Sequence, residues 1–117
     1  MSPSHHRAWS QKAIAAHATW RNRLTAAVAT GCSPPADDAV HCAEHCELGM
    51  LLRDCAPPSE SVTSLRRLHE DLHKAARDVL ARVAAGDHRG AEQLLLGDCT
   101  LFADRVVQQL VGIASGG

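Results

Sequence analysis

Three interruptions constrain this chain more than any other feature of its sequence: Gly31-Cys32-Ser33-Pro34-Pro35, Ala56-Pro57-Pro58-Ser59 and Gly86-Asp87. Each pairs a helix stop with a helix start. Glycine takes the left-handed conformation that ends a helix, and proline is tolerated only in a helix's first turn. Ser33, Ser59 and Asp87 are side chains able to cap the N–H groups of the helix that follows. Four segments remain, at 7–30, 35–55, 59–85 and 87–114, and none alternates with the period of a strand.

The third segment is the clearest helix. Val62, Leu65, Leu68, Leu72, Ala76, Val79, Leu80 and Val83 fall on one stripe, with Arg66, Arg67, Glu70, Asp71, Lys74, Arg77 and Asp78 opposite. The first segment repeats the pattern with Trp9, Ala13, Ile14, Trp20, Leu24 and Val28. The fourth carries Leu94, Leu95, Leu101, Phe102, Val106, Leu110 and Ile113, but Asp98 and Arg105 intrude on its stripe. The second is ambiguous, since Cys42, Cys46 and Met50 define one face and Leu48 and Leu52 another. Amphipathic helices with short joints predict an all-α fold, an antiparallel four-helix bundle forming one domain over 1–117 with its core at 10–114.

Composition agrees. Apolar residues make up 45% of the 117 positions, mostly Ala, Leu and Val, with one Phe, two Trp and no Tyr, which suits packed helices better than a sheet. A net charge of -1 offers no positive face for nucleic-acid phosphates. No apolar run reaches membrane-spanning length and the N-terminus lacks the apolar core of a signal peptide, so the expected compartment is the cytoplasm. Five cysteines, Cys32, Cys42, Cys46, Cys55 and Cys99, form an odd set that argues against a disulfide framework and leaves room for metal or redox chemistry.

The histidines supply that chemistry. His17 falls in the middle of the first apolar stripe, and His69 and His73 lie one turn apart at the edge of the third. A buried imidazole needs a polar partner. If the second segment is helical throughout, Cys46 and His69 are each about eleven residues, roughly 16 Å, from the joint between their helices. Cys46 and His17 are about twelve and fifteen residues from the joint before them, a difference of less than one turn. Four inward N and S donors from three helices then meet at one level, which matches tetrahedral Zn²⁺ better than calcium or magnesium. Periodicity and level alone leave a metal site and a set of hydrogen-bonded core histidines as equal readings.

Three motifs tip the balance. His17-Ala-Thr-Trp20, Cys46-Glu-Leu-Gly49 and His69-x-x-x-His73, in this order and spacing, resemble the chemoreceptor zinc-binding (CZB) domain family over 10–114. The resemblance implies a helical bundle holding zinc through three histidines and one cysteine, here His17, Cys46, His69 and His73. It also implies a role in zinc or oxidant sensing, with Cys46 as the redox-reactive group and Trp20 and Gly49 beside the ligands. Such domains are attached to chemotaxis receptors or diguanylate cyclases. This chain carries neither, so a partner in trans or a homodimer is expected. The family usually places a tryptophan shortly after its Leu-Gly, where this chain has Met50-Leu51-Leu52.

Other readings compete. Cys42 shares a face with Cys46 one turn away and is a substitute ligand or a small packing residue, and His41 and His45 are surface or interface histidines. Cys99 approaches the site from the fourth helix or is a buried small residue. The metal is either a sensor's ligand or a structural staple for a dimerisation module. His69-Glu70-Asp71-Leu72-His73 also fits the metalloprotease pattern, with Glu92 as a third ligand. Glu70 falls on the charged face, however, and four protein ligands leave no position for a catalytic water, so no enzymatic activity is expected.

Overall fold

The computed structural model describes residues 3–34 and 46–115. They form helices α1 (Pro3–Thr30), α2 (Glu47–Asp54), α3 (Glu60–Ala84), α4 (His88–Leu94) and α5 (Thr100–Ala114), with one π-type turn (Leu95–Cys99) joining the last two. No strand occurs among the described residues. The expected helix stops at Gly31 and Gly86 and the expected starts at Ser59 and Asp87 appear where the sequence places them. Gly31 and Gly86 adopt φ of 69° and 77°. Beyond each, the chain closes back on its helix: Cys32 N–H donates to the Ala27 carbonyl and Asp87 N–H to that of Arg82, satisfying carbonyls that the helix ends leave open. Ser59 caps α3 by accepting from Val62 N–H at 3.1 Å, and Asp87 caps α4 by accepting from Gly90 N–H at 2.9 Å.

The core is built from the stripes. Trp9, Ala13, Ala16, Trp20, Leu24, Ala27 and Val28 of α1 are buried with Val62, Leu65, Leu72, Ala76, Val79, Leu80 and Val83 of α3. Helix α5 packs on both α1 and α3. Ser10 Oγ donates to the Leu110 carbonyl, and farther along α1 an exposed ion pair joins Arg21 to Asp104 at 3.1 Å. Helix α2 contributes Leu48 and Leu52 to the core and is held to α1 by Trp9 Nε1–H donating to the Leu51 carbonyl at 3.4 Å. Within α2 it is Leu48 and Leu52 that face the core while Met50 is 41% exposed; Cys46, just before the helix, is buried as well.

Two expectations need correction. The second helix is not helical through Cys46: that residue is extended, at φ -76° and ψ 155°, and α2 begins after it. The stretch 35–45, with Cys42, His41 and His45, lies outside the described residues. The fourth segment is two helices. At 100° per residue, an unbroken helix with Ala91 inward would next bring Asp98, Phe102 and Arg105 toward the core, the register in which charged residues intrude. The π-type turn inserts one residue. Inward positions become Cys99, Ala103, Val106, Leu110 and Ile113, all buried, while Asp98 and Arg105 reach solvent. Leu101, expected inward, is 47% exposed for the same reason. Gly97 departs from helical dihedrals within this turn, and Thr100 Oγ1–H donates to the Leu95 carbonyl across it.

Candidate metal centre

Helix α3 fixes two of the four expected ligands. His69 and His73 are one turn apart on a helix whose register is set by Leu65, Leu72 and Ala76, each fully buried, so both rings are carried into the core. Their centroids are 4.7 Å apart at an interplanar angle of 82°. Cys46 reaches them from the start of α2. As the N-cap, it does with sulfur what serine or aspartate does with oxygen: its Sγ accepts from Gly49 N–H at 3.2 Å. The sulfur therefore lies at the N-terminal end of α2, within reach of that helix's first free N–H groups. Its distance to His69 Nε2 is 3.1 Å.

Cys46, His69 and His73 each offer one ligand atom such that all lie within 4.8 Å of one another, and all three residues are buried. Donors around a tetrahedral zinc ion stand roughly 3.3–3.8 Å apart, given bonds of about 2.0–2.3 Å. One sulfur and two ring nitrogens at these separations can hold a metal ion with small side-chain adjustments.

His17 is also buried, 2% exposed, but it stands outside that group. Its Nε2 lies 3.1 Å from the Ala103 carbonyl on α5, so with the proton on Nε2 it donates there. Trp20 lies between the histidines, stacked near His17 with centroids 6.1 Å apart and tilted against His73 at 5.0 Å. Trp20 and Gly49 thus both touch the site. Cys99 is buried but is not among the clustered donors; it lines a cleft of about 190 Å³ together with Trp20, Leu95 and Ala103. Cys32 and Cys55 are exposed.

Burial decides the protonation of these groups. His69 is lowered to about 3, first because its imidazolium would be stripped of water, then because charges on His73 and His17 would repel it. His17 is lowered to about 4, again chiefly by burial, with Arg21 adding to the effect and the Ala103 carbonyl and Asp104 opposing it. Both rings are therefore neutral at neutral pH, the form that binds metals. The Cys99 thiol is pushed up to about 11 by burial, which keeps it protonated and unreactive. Glu70, between the two α3 histidines, is exposed.

The Ala103 carbonyl and the register-shifting turn before it escape sequence reading, because a backbone acceptor leaves no side-chain signature. The intruding Asp98 and Arg105 are the one signal that the register had to change. The chain matches no protein-family model, no curated protein and no solved structure.

Proposed function

We propose that this chain is a zinc-binding regulatory domain of the chemoreceptor zinc-binding type, with Cys46, His69 and His73 holding Zn²⁺ and His17 supplying a fourth ligand through Nδ1. The observation that carries this reading is the burial of one thiol and two imidazoles with their ligand atoms all within 4.8 Å. Thiolate with imidazole favours zinc over the hard cations. The approach of His17 Nε2 to a backbone carbonyl supports its role, since ligating histidines commonly donate their other N–H to such an acceptor and leave the remaining nitrogen for the metal. The pairing of Ser10 with Leu110 and of His17 with Ala103 supports an antiparallel order of α1 and α5 within the bundle.

In this reading the domain reports zinc availability or oxidation of Cys46. Hypochlorous acid delivers oxygen to the thiolate, sulfur becoming the sulfenic acid and chlorine leaving as chloride. The modified sulfur is a poorer ligand, and α2, the shortest contributor to the centre, loosens from α3. The output is a chemotaxis receptor or diguanylate cyclase acting in trans in the cytoplasm, with the domain itself a homodimer. Hydrolytic chemistry is not part of the reading: the exposure of Glu70 sets the general base apart from the buried histidines. No helix among the described residues is long and apolar enough to cross a membrane.

Elemental analysis of the purified protein tests the proposal, with one zinc per chain expected in the wild type and a strong loss in His69→Ala. A wild-type chain that neither retains nor takes up zinc refutes it. A melt with and without chelator separates a sensor from a staple: a sensor stays helical when the metal leaves, whereas a staple unfolds.

A further inference from the structure

Helix α5 gives no side chain to the Cys46, His69 and His73 group, yet it is tied to the neighbouring His17. The tie falls on Ala103, at 3.1 Å from Nε2, in the first turn of α5 after the π-type turn. That turn is where the last two helices are least regular, since Gly97 leaves helical dihedrals there. Beside it lies the cleft of about 190 Å³ whose walls include Trp20, Leu95, Cys99 and Ala103. Close-packed interiors pass strain on rather than absorb it, so a displacement at His17 is carried into α5 and taken up where the packing is interrupted. The kink at Gly97 beside this open cleft gives α5 a joint with room on one side.

We propose that the Ala103 carbonyl is a positioning group for the metal centre, and that metal occupancy is transmitted out of the site through α5, with the Leu95–Cys99 turn as the joint on which α5 moves. The inference rests on the reading of His17 as a ligand. A cation on Nδ1 withdraws electron density from the imidazole and makes Nε2–H a stronger donor, so the bond to Ala103 tightens as the metal binds. Linkage makes this reciprocal: the factor by which α5 improves metal affinity equals the factor by which metal holds α5 in place. Outer hydrogen-bond partners of ligating histidines are worth about 10- to 100-fold in metal affinity, and the opening equilibrium of α5 should shift toward the closed state by the same factor.

Amide hydrogen exchange over residues 100–110 of the whole chain, with saturating Zn²⁺ and with chelator, tests this directly, alongside a calorimetric titration that reports Zn²⁺ binding separately. Zn²⁺ is expected to slow exchange in the wild-type α5 by about tenfold or more. In His17→Gln, the side-chain amide still has an N–H for the Ala103 carbonyl but offers no ring Nδ1. This variant should bind Zn²⁺ more weakly through the remaining three residues, and its α5 exchange at saturation should no longer respond. Wild-type protein that binds Zn²⁺ while α5 exchange stays unchanged overturns the coupling and leaves the metal reading standing. An α5 response persisting in His17→Gln also overturns it. Absence of Zn²⁺ binding in the wild type removes both. The wild-type comparison needs no variant, so a failure of His17→Gln to fold does not protect the proposal.

Discussion

Lowering the pH of the chelator-treated protein should unfold it through its histidines, and the structure sets the size of the effect. His17 and His69 move from 6.5 to about 4 and about 3 on folding. A histidine whose folded value lies below its unfolded value contributes stability that is fully present above the unfolded value and is lost as pH falls toward the folded one. Between pH 7.5 and 5.5 each ring should remove about 1.4 kcal/mol, and by pH 4.5 the two together should remove roughly 5 kcal/mol. A domain of this size has only about 5–15 kcal/mol to lose. The shifted carboxylates act elsewhere. Asp54, held low by its bond to Arg53, and Asp87, held low by Gly90 N–H and then Arg82, contribute stability that is lost only below their unfolded value of 3.8. Urea unfolding followed by circular dichroism at pH 7.5, 6.5, 5.5 and 4.5 measures the slope. His17→Gln and His69→Gln should each lower wild-type stability and flatten its pH dependence by about one proton. A wild-type stability that is level between pH 7.5 and 5 would refute the assignment of these rings as buried and neutral.

Two further substitutions test the scaffold. Leu65→Ala empties a fully buried position on α3 and should cost about 2–5 kcal/mol in urea unfolding; a loss below 1 kcal/mol would mean that α3 is not packed as described. Ser59→Ala removes the acceptor for Val62 N–H and should cost about 1 kcal/mol with no change in metal content, as read by the same unfolding assay and by elemental analysis.

The parts of this molecule that were legible in the sequence are those whose signal is periodic. Val62, Leu65, Leu72, Ala76, Val79, Leu80 and Val83 recur at the helical period and are all buried, and the same wheel turns His69 and His73 inward. Ser59, Gly86 and Asp87 act at the joints as their chemistry requires. Cys46 was correctly expected to lie near the α3 histidines, but for the wrong geometric reason. Helical rise brings Cys46 level with His69 only if a helix runs through it, whereas it is the extended residue before α2, and its place follows from capping. Position 46 accepts a cap sulfur that an unbroken pattern of apolar residues cannot distinguish from a core side chain. The fourth segment failed for a related reason. A constant 100° step cannot describe a chain that gains one residue at Leu95–Cys99, so the apolar pattern points to Leu101 where the fold buries Ala103. His17 was correctly expected to be buried, while its partner, a backbone carbonyl, has no counterpart in side-chain identity.

Cobalt substitution tests the centre most directly, because Co²⁺ accepts the same ligands as zinc and reports their identity by absorption. The metal-free protein titrated with Co²⁺ should develop intense visible bands of a tetrahedral ion together with a near-ultraviolet thiolate-to-cobalt band. Cys46→Ala should lose the thiolate band and keep weaker binding through the histidines. Weak octahedral bands alone, with no thiolate band in the wild type, would mean that Cys46, His69 and His73 do not converge on a common ion.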